Sequence, residues 1–148
     1  MTYSLKSIGK VSVSEEKTII QITEKYRKAM LHLEEFSHLI VLWWIEGRDT
    51  DEGREILLVT PPKQENAPLT GVFSCRSPNR PNPIGLTIVR VMEVNEEKGT
   101  IEIEKIDAYD QTPIIDIKPY LPKSDCIINA KIPEWFESLA KPKEEHER

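Results

Sequence analysis

Gly71-Val72-Phe73-Ser74-Cys75-Arg76-Ser77-Pro78-Asn79-Arg80-Pro81-Asn82-Pro83-Ile84-Gly85 has a composition that an ordinary flexible loop does not need. Pro78, Pro81 and Pro83 fix backbone φ and withhold three amide donors, which excludes helix and central strand across the segment. Into this stiffened stretch the chain places two guanidinium groups, Arg76 and Arg80, and two carboxamides, Asn79 and Asn82. Apolar runs bracket it, Gly71 to Phe73 before and Ile84 to Val94 after. The expectation is a pre-organised polar platform between two strands, suited to something small and polar.

Outward from the platform, the hydrophobic pattern reads mostly as strands. Downstream, Ile84 to Val94 and Thr100 to Ile106 form a predicted hairpin through Asn95 to Gly99, with Ile101 and Ile103 alternating. The loop Asp107 to Pro113 then leads to the apolar Ile114-Ile115-Asp116-Ile117, and Pro133 suits the first position of a short last helix. Upstream, Ser4 to Val13 and Lys17 to Thr23 read as two strands with a turn at Ser14-Glu15-Glu16. Tyr26, Ala29, Met30 and Leu33 sit at i, i+3, i+4 and i+7 and predict one apolar face of a short helix. Leu39 to Ile45 is a continuous apolar strand, Glu46 to Gly53 a polar turn, and Arg54 to Thr60 a further strand. Six of the eleven prolines fall between Pro61 and Pro83, so Pro61 to Leu69 is expected to be irregular. Many short strands with turns between them, and only minor short helices, make the fold mainly β, a barrel or closed sheet.

The totals bound the function. At 148 residues the chain is read as one domain, able to bury a core without staples. A net charge of −5 argues against a broadly basic nucleic-acid protein but leaves room for a local patch. The longest apolar run falls far short of the roughly 20 residues that span a bilayer, so no membrane partner is expected. The first ten residues lack a basic-then-apolar leader, which makes the expected location cytoplasmic. Cys75 and Cys126 are read as reduced and structural, and His32, His38 and His146 show no ligand spacing, so no metal is expected. Neither a Gly-x-Ser-x-Gly elbow nor a Walker or Gly-x-Gly-x-x-Gly loop is present.

Two readings fit Arg76 and Arg80 on residue chemistry alone. They are either surface arginines tied to carbonyls or acids, or forked donors for a carboxylate or phosphate. The loop Asp107-Ala108-Tyr109-Asp110-Gln111-Thr112-Pro113 is equally open: ordinary turn formers, or hydrogen-bonding groups for a ribose, a base edge or an amino group. Trp43 and Trp44 are adjacent on a strand and face opposite sides, one to the core. His38 reads as structural.

In combination these segments are distinctive. The block from Gly71 to Gly85 closely resembles the signature of the TsaA-like family, also called YaeB or TrmO. Leu33-Glu34-Glu35-Phe36-Ser37-His38-Leu39 before it, and Asp107 to Pro113 with Asp116-Ile117-Lys118-Pro119-Tyr120-Leu121-Pro122 after it, match in order. The likeness runs from about Ile8 to Cys126. It implies a β-barrel domain, here residues 1–140 with a frayed tail over 141–148, that binds S-adenosyl-L-methionine and forms a homodimer with its site near the subunit boundary. The implied activity is methylation of N6-threonylcarbamoyladenosine at position 37 of tRNA. By matching motif, Arg76 and Leu86 would contact the cofactor, Asp110, Gln111, Thr112 and Pro113 would supply a further cofactor-binding loop, and Glu46 with Gly47 aligns with another contacting pair. Within that site, Arg76 would anchor a polar or anionic part of the cofactor, and Arg80, Asn82 and Lys118 are positioning candidates for the substrate side. Family members more often carry Gly where this chain has Gln111, and their usual Pro-Arg-Gln element after the first strand is absent here. No catalytic acid or base is assigned, because in-line methyl transfer needs alignment more than proton transfer. Two alternatives stand beside this reading: a small-metabolite methyltransferase, and a cofactor- or nucleotide-sensing module without turnover.

Overall fold

The computed structural model describes residues 1–62 and 66–137. Strands form where β-branched and aromatic residues alternate. They are β1 (Gly9–Val13), β2 (Thr18–Ile22), β3 (His38–Trp44), β4 (Leu58–Val59), β5 (Thr70–Gly71), β6 (Ile84–Asn95), β7 (Thr100–Ile103) and β8 (Pro113–Pro119). Six of them close into a barrel in the order β1-β2-β7-β6-β3-β8, every described neighbour antiparallel. Closure removes the free sheet edges that an open β-sheet must otherwise protect. The expected mainly β fold with short helices is the one observed.

Contact density divides the described backbone into two compact units. The first is Met1–Glu46 with Ile84–Pro122, and it holds all six barrel strands; the second is Gly47–Pro83 with the described residues from Lys123 on. The barrel core comes from inward positions: Val11, Ile20, Leu39, Val41, Ile101 and Ile114 have no solvent exposure, and Ile22, Val89 and Ile103 almost none. Each such side chain contributes about 1.5–3 kcal/mol by leaving water. Met30 and Ala108 complete the cluster from outside the strands.

The closure seam between β1 and β8 is short, pairing only Gly9 with Ile114 and Lys10 with Pro113. Loop groups extend it: Val11 N–H donates to Thr112 O (3.0 Å) and Gln111 N–H to Val11 O (2.7 Å). On its other edge, β1 approaches β2 so closely that a Cβ on Gly9 would lie 2.2 Å from the Gln21 carbonyl oxygen. Across β3 and β6, the Trp43 indole lies where a Cβ on Gly85 would go (2.3 Å to the ring) and donates from Nε1 to Thr87 Oγ1 at 3.1 Å. Trp43 is therefore the core-facing tryptophan of the pair.

The structure corrects several local expectations. The first strand begins at Gly9, not Ser4. The periodic segment after β2 forms 3-10 turns, Glu24–Met30 and Leu33–Glu35, separated by His32 in the left-handed region (φ 69). Met30 is buried and Tyr26 and Leu33 pack against the core, while Ala29 stays exposed. The expected strand from Arg54 to Thr60 is replaced by helix α1 (Asp51–Glu55) and the two residues of β4. Thr50 caps α1, its hydroxyl accepting from Gly53 N–H at 2.9 Å, with Asp51 and Glu52 in the first turn. Thr50 followed by two acids was the signal to read. Helix α2 (Pro122–Asp125) was not expected, whereas α3 (Glu134–Glu137) starts after Pro133 as anticipated. The tail read as frayed, 141–148, lies outside the described residues. No helix among the described residues is long and apolar enough to cross a membrane.

Candidate functional site

In the barrel unit, register decides which side chains share a face. Leu42 of β3 pairs with Leu86 on one side and Asp116 on the other, and Ile40 pairs with Ile88 and Lys118. Cross-strand partners point to the same side of a sheet, so Leu86, Ile88, Asp116 and Lys118 share the outer face of β6-β3-β8. Ile84, Leu86 and Ile88 form an exposed apolar row there, at 38%, 44% and 38%. Lys118 is engaged, its Nζ 2.9 Å from Asp116 Oδ2, which leaves it only partly available to another anion.

The same register gathers the start of β6, the end of β3 and the start of β8 at one rim, because Trp43 pairs with both Gly85 and Ile114. Glu46 follows β3 at this rim in an exposed 3-10 turn, Glu46–Arg48, and Pro113 opens β8 there. Gly47 is exposed, with open space where a Cβ would stand.

The loop before Pro113 ties the barrel shut. Asp110 Oδ1 accepts from Val13 N–H at 2.8 Å and from Gln111 Nε2 at 3.2 Å, continuing the seam beyond the end of β1. The Val13 amide first, then the Gln111 side chain, hold the Asp110 carboxyl below the usual carboxylate range. Gln111 adopts φ 68, the left-handed conformation that glycine enters without cost. Thr112 is buried and Pro113 half-buried. A carboxylate whose folded pKa is depressed stabilises the fold above its unfolded pKa of about 3.9, and that stabilisation is lost as pH falls through the lower folded value. Asp110→Ala is therefore expected to destabilise the protein at neutral pH, with the gap to wild type narrowing in acid. Thermal unfolding of both proteins between pH 7 and pH 3 checks this; a gap that stays constant contradicts it.

In the second unit, the proline-rich loop divides its polar groups between two tasks. Arg80 Nη1 donates to Cys75 O (3.3 Å) and Ser77 O (3.0 Å), the carbonyls on either side of Arg76. Arg54 Nε donates to Pro81 O (2.7 Å), its Nη2 to Asn82 Oδ1 (3.2 Å), and its Nη1 to Asp49 Oδ1 (3.2 Å). Asn79 N–H bonds Ser77 Oγ at 3.2 Å. Arg76 is exposed, and among the described residues its guanidinium pairs with no carboxylate or carbonyl. The two arginines left open by the sequence thus separate: Arg80 is tied to carbonyls, and Arg76 is presented.

Arg54 is the residue that sequence reasoning missed. A loop with three prolines is short of N–H donors, so its carbonyls call for donors from elsewhere; spacing alone does not say which arginine supplies them. His38 behaves structurally, its Nδ1 2.7 Å from Ser37 Oγ and its ring edge-on to Tyr120. Cys75 and Cys126 are both free thiols. His32, Glu34 and Glu35 bring ligand-type atoms within 4.8 Å of one another, all on exposed side chains.

Comparison with known proteins gives these groups a context. The family model described as the tRNA-methyltransferase O N-terminal domain matches residues 8–126. The chain is 45% identical over 124 residues to a probable S-adenosyl-L-methionine-binding protein of Methanocaldococcus jannaschii, covering 84% of this chain and 97% of that one. It is 38% identical over 104 residues to the tRNA (adenine(37)-N6)-methyltransferase of Escherichia coli, covering 69% of this chain but 43% of the relative. Among solved structures, TrmO from Pseudomonas aeruginosa superposes with a TM-score of 0.69 at 25% identity, over 90% of this chain and 62% of that one.

Proposed function

The chain belongs to the family of tRNA-methyltransferase O N-terminal domains, and from that premise we propose that it is an S-adenosyl-L-methionine-dependent methyltransferase acting on N6 of adenine 37 in tRNA. The finer substrate in this reading is N6-threonylcarbamoyladenosine. The observation that carries it is the exposed Arg76 guanidinium, for which no hydrogen bond or ion pair is found among the described residues, while Arg80 of the same loop is committed to the carbonyls of Cys75 and Ser77. The residues fit the cofactor in kind: Arg76 is a fork-shaped cation for its carboxylate, and Leu86 an exposed apolar side chain for its adenine. The bound cofactor supplies an electrophilic methyl group on a sulfonium sulfur. In this reading the chain's own contribution is alignment, with Arg76, Leu86 and the residues Asp110 to Pro113 each a candidate contact for the cofactor. Lys118, paired with Asp116 on the same outer face as Leu86, is in this reading the candidate for contacting RNA phosphate.

The same reading carries a homodimer in the cytoplasm, the second copy packing on Ile84 and Ile88 and leaving Leu86 to the cofactor at the subunit boundary. Ile88→Glu is expected to shift the protein from dimer to monomer in sedimentation velocity. A wild-type monomer would remove the dimer from the proposal.

One observation favours a second reading. The chain matches nearly the whole of a relative named only for binding the cofactor, but less than half of the Escherichia coli enzyme. On that basis the alternatives are a cofactor-binding module without turnover, or transfer to a small metabolite. Nucleoside mass spectrometry decides between them, using tRNA that carries threonylcarbamoyladenosine but lacks the methyl group, incubated with protein and cofactor. The expected product is methylated threonylcarbamoyladenosine. Cofactor retained with no methylated nucleoside in any RNA would transfer support to the second reading.

A further inference from the structure

We propose that Arg54 and Arg80 form a brace that positions Arg76, with Arg54 a positioning residue for ligand binding that touches no ligand itself. The inference rests on the reading of Arg76 as the cofactor's anchor. Prolines at 78, 81 and 83 remove the amide donors with which a loop ordinarily holds its own shape. The carbonyls of Cys75, Ser77 and Pro81 receive guanidinium N–H groups instead, two from Arg80 and one from Arg54. The Arg80 bonds close on the carbonyls of the residues before and after Arg76, Cys75 and Ser77, so they set the backbone from which that side chain departs. Arg54 closes on the two residues immediately after Arg80, so it sets where Arg80 stands.

Arg54 is itself held. It lies on α1, capped by Thr50, and Asp49 takes its Nη1. The order of support runs from Asp49 and the capped helix, through Arg54, to Pro81 and Asn82, then through Arg80 to Cys75 and Ser77. A lysine at 54 cannot reproduce this, because an ammonium is a point donor without the planar fork that spans a carbonyl and a carboxamide at once.

The test combines calorimetric titration of S-adenosyl-L-methionine with hydrogen exchange of the loop amides, on the full chain. Arg54→Ala is expected to weaken cofactor affinity about tenfold and to speed exchange across residues 75–82, while the barrel amides keep their protection. Arg54→Lys should recover only part of the loss, and Asn82→Ala, which cuts one arm, should give a smaller loss of the same kind. Added to Arg76→Ala, Arg54→Ala should weaken binding no further, since it acts through Arg76. Unchanged affinity in Arg54→Ala, losses that add to those of Arg76→Ala, or unchanged loop exchange would each overturn the brace. If the wild type binds no cofactor, the proposed function fails, and loop exchange alone decides the brace.

Discussion

Gly9→Ala is expected to destabilise the protein by about 3 kcal/mol. A methyl group on Gly9 would stand 2.2 Å from the Gln21 carbonyl oxygen and 3.1 Å from its carbon and from the Ile22 Cα. These are backbone atoms of the paired strand, so no side-chain rotation relieves the clash. The strand on the other side of β1 offers little slack, because only two residue pairs join it to β8. The clash must therefore be resolved by pushing β1 off β2 or opening the seam, and either exposes Val11 and Ile20. At this chain length a loss of that size lowers the unfolding midpoint by roughly 6–12 °C. Differential scanning calorimetry measures it. A midpoint within a degree of wild type would mean that the seam is not the tight element described.

Arg76→Ala is expected to lower affinity for S-adenosyl-L-methionine by about 10- to 100-fold, as removal of a charge-assisted contact does. The unfolding midpoint should not move, because Arg76 is exposed and joins none of the hydrogen bonds that shape the loop. That combination separates Arg76 from Arg80, whose removal should cost both binding and loop order. Arg76→Lys should lie between wild type and Arg76→Ala, keeping the charge and losing the fork. Isothermal titration at moderate salt reads the affinity, and equal affinity in Arg76→Ala and wild type would remove Arg76 from the site.

Most of the barrel was legible along the chain. The alternation in Thr18 to Ile22, the apolar run through Leu39 to Trp43, and the Ile101/Ile103 pair all lie where strands were expected. They were legible because a strand with one buried face repeats every second residue, a pattern carried by the sequence itself. The segment around α1 was misread because its apolar residues, Ile56 to Val59, resemble a strand, while a capping hydroxyl decides the structure before them. The 24–35 segment kept its buried Met30 but not its helix type, since 3-10 and α periods differ too little over three turns to separate by eye.

The proline-rich stretch from Gly71 to Gly85 determined by itself that a rigid, donor-poor platform lies here, because proline geometry is local and needs no partner. Together with its flanking blocks it also determined the family. Which of its two arginines is presented, and which is consumed holding the loop, only the tertiary structure decided. Identical guanidinium groups four residues apart carry no sign of their partners, and the division depends on carbonyls and on an Arg54 that becomes a neighbour only when the chain folds. Asp110 follows the same rule: its carboxylate was legible as polar loop chemistry, but its bond to Val13, 97 residues away in sequence, exists only because the barrel closes.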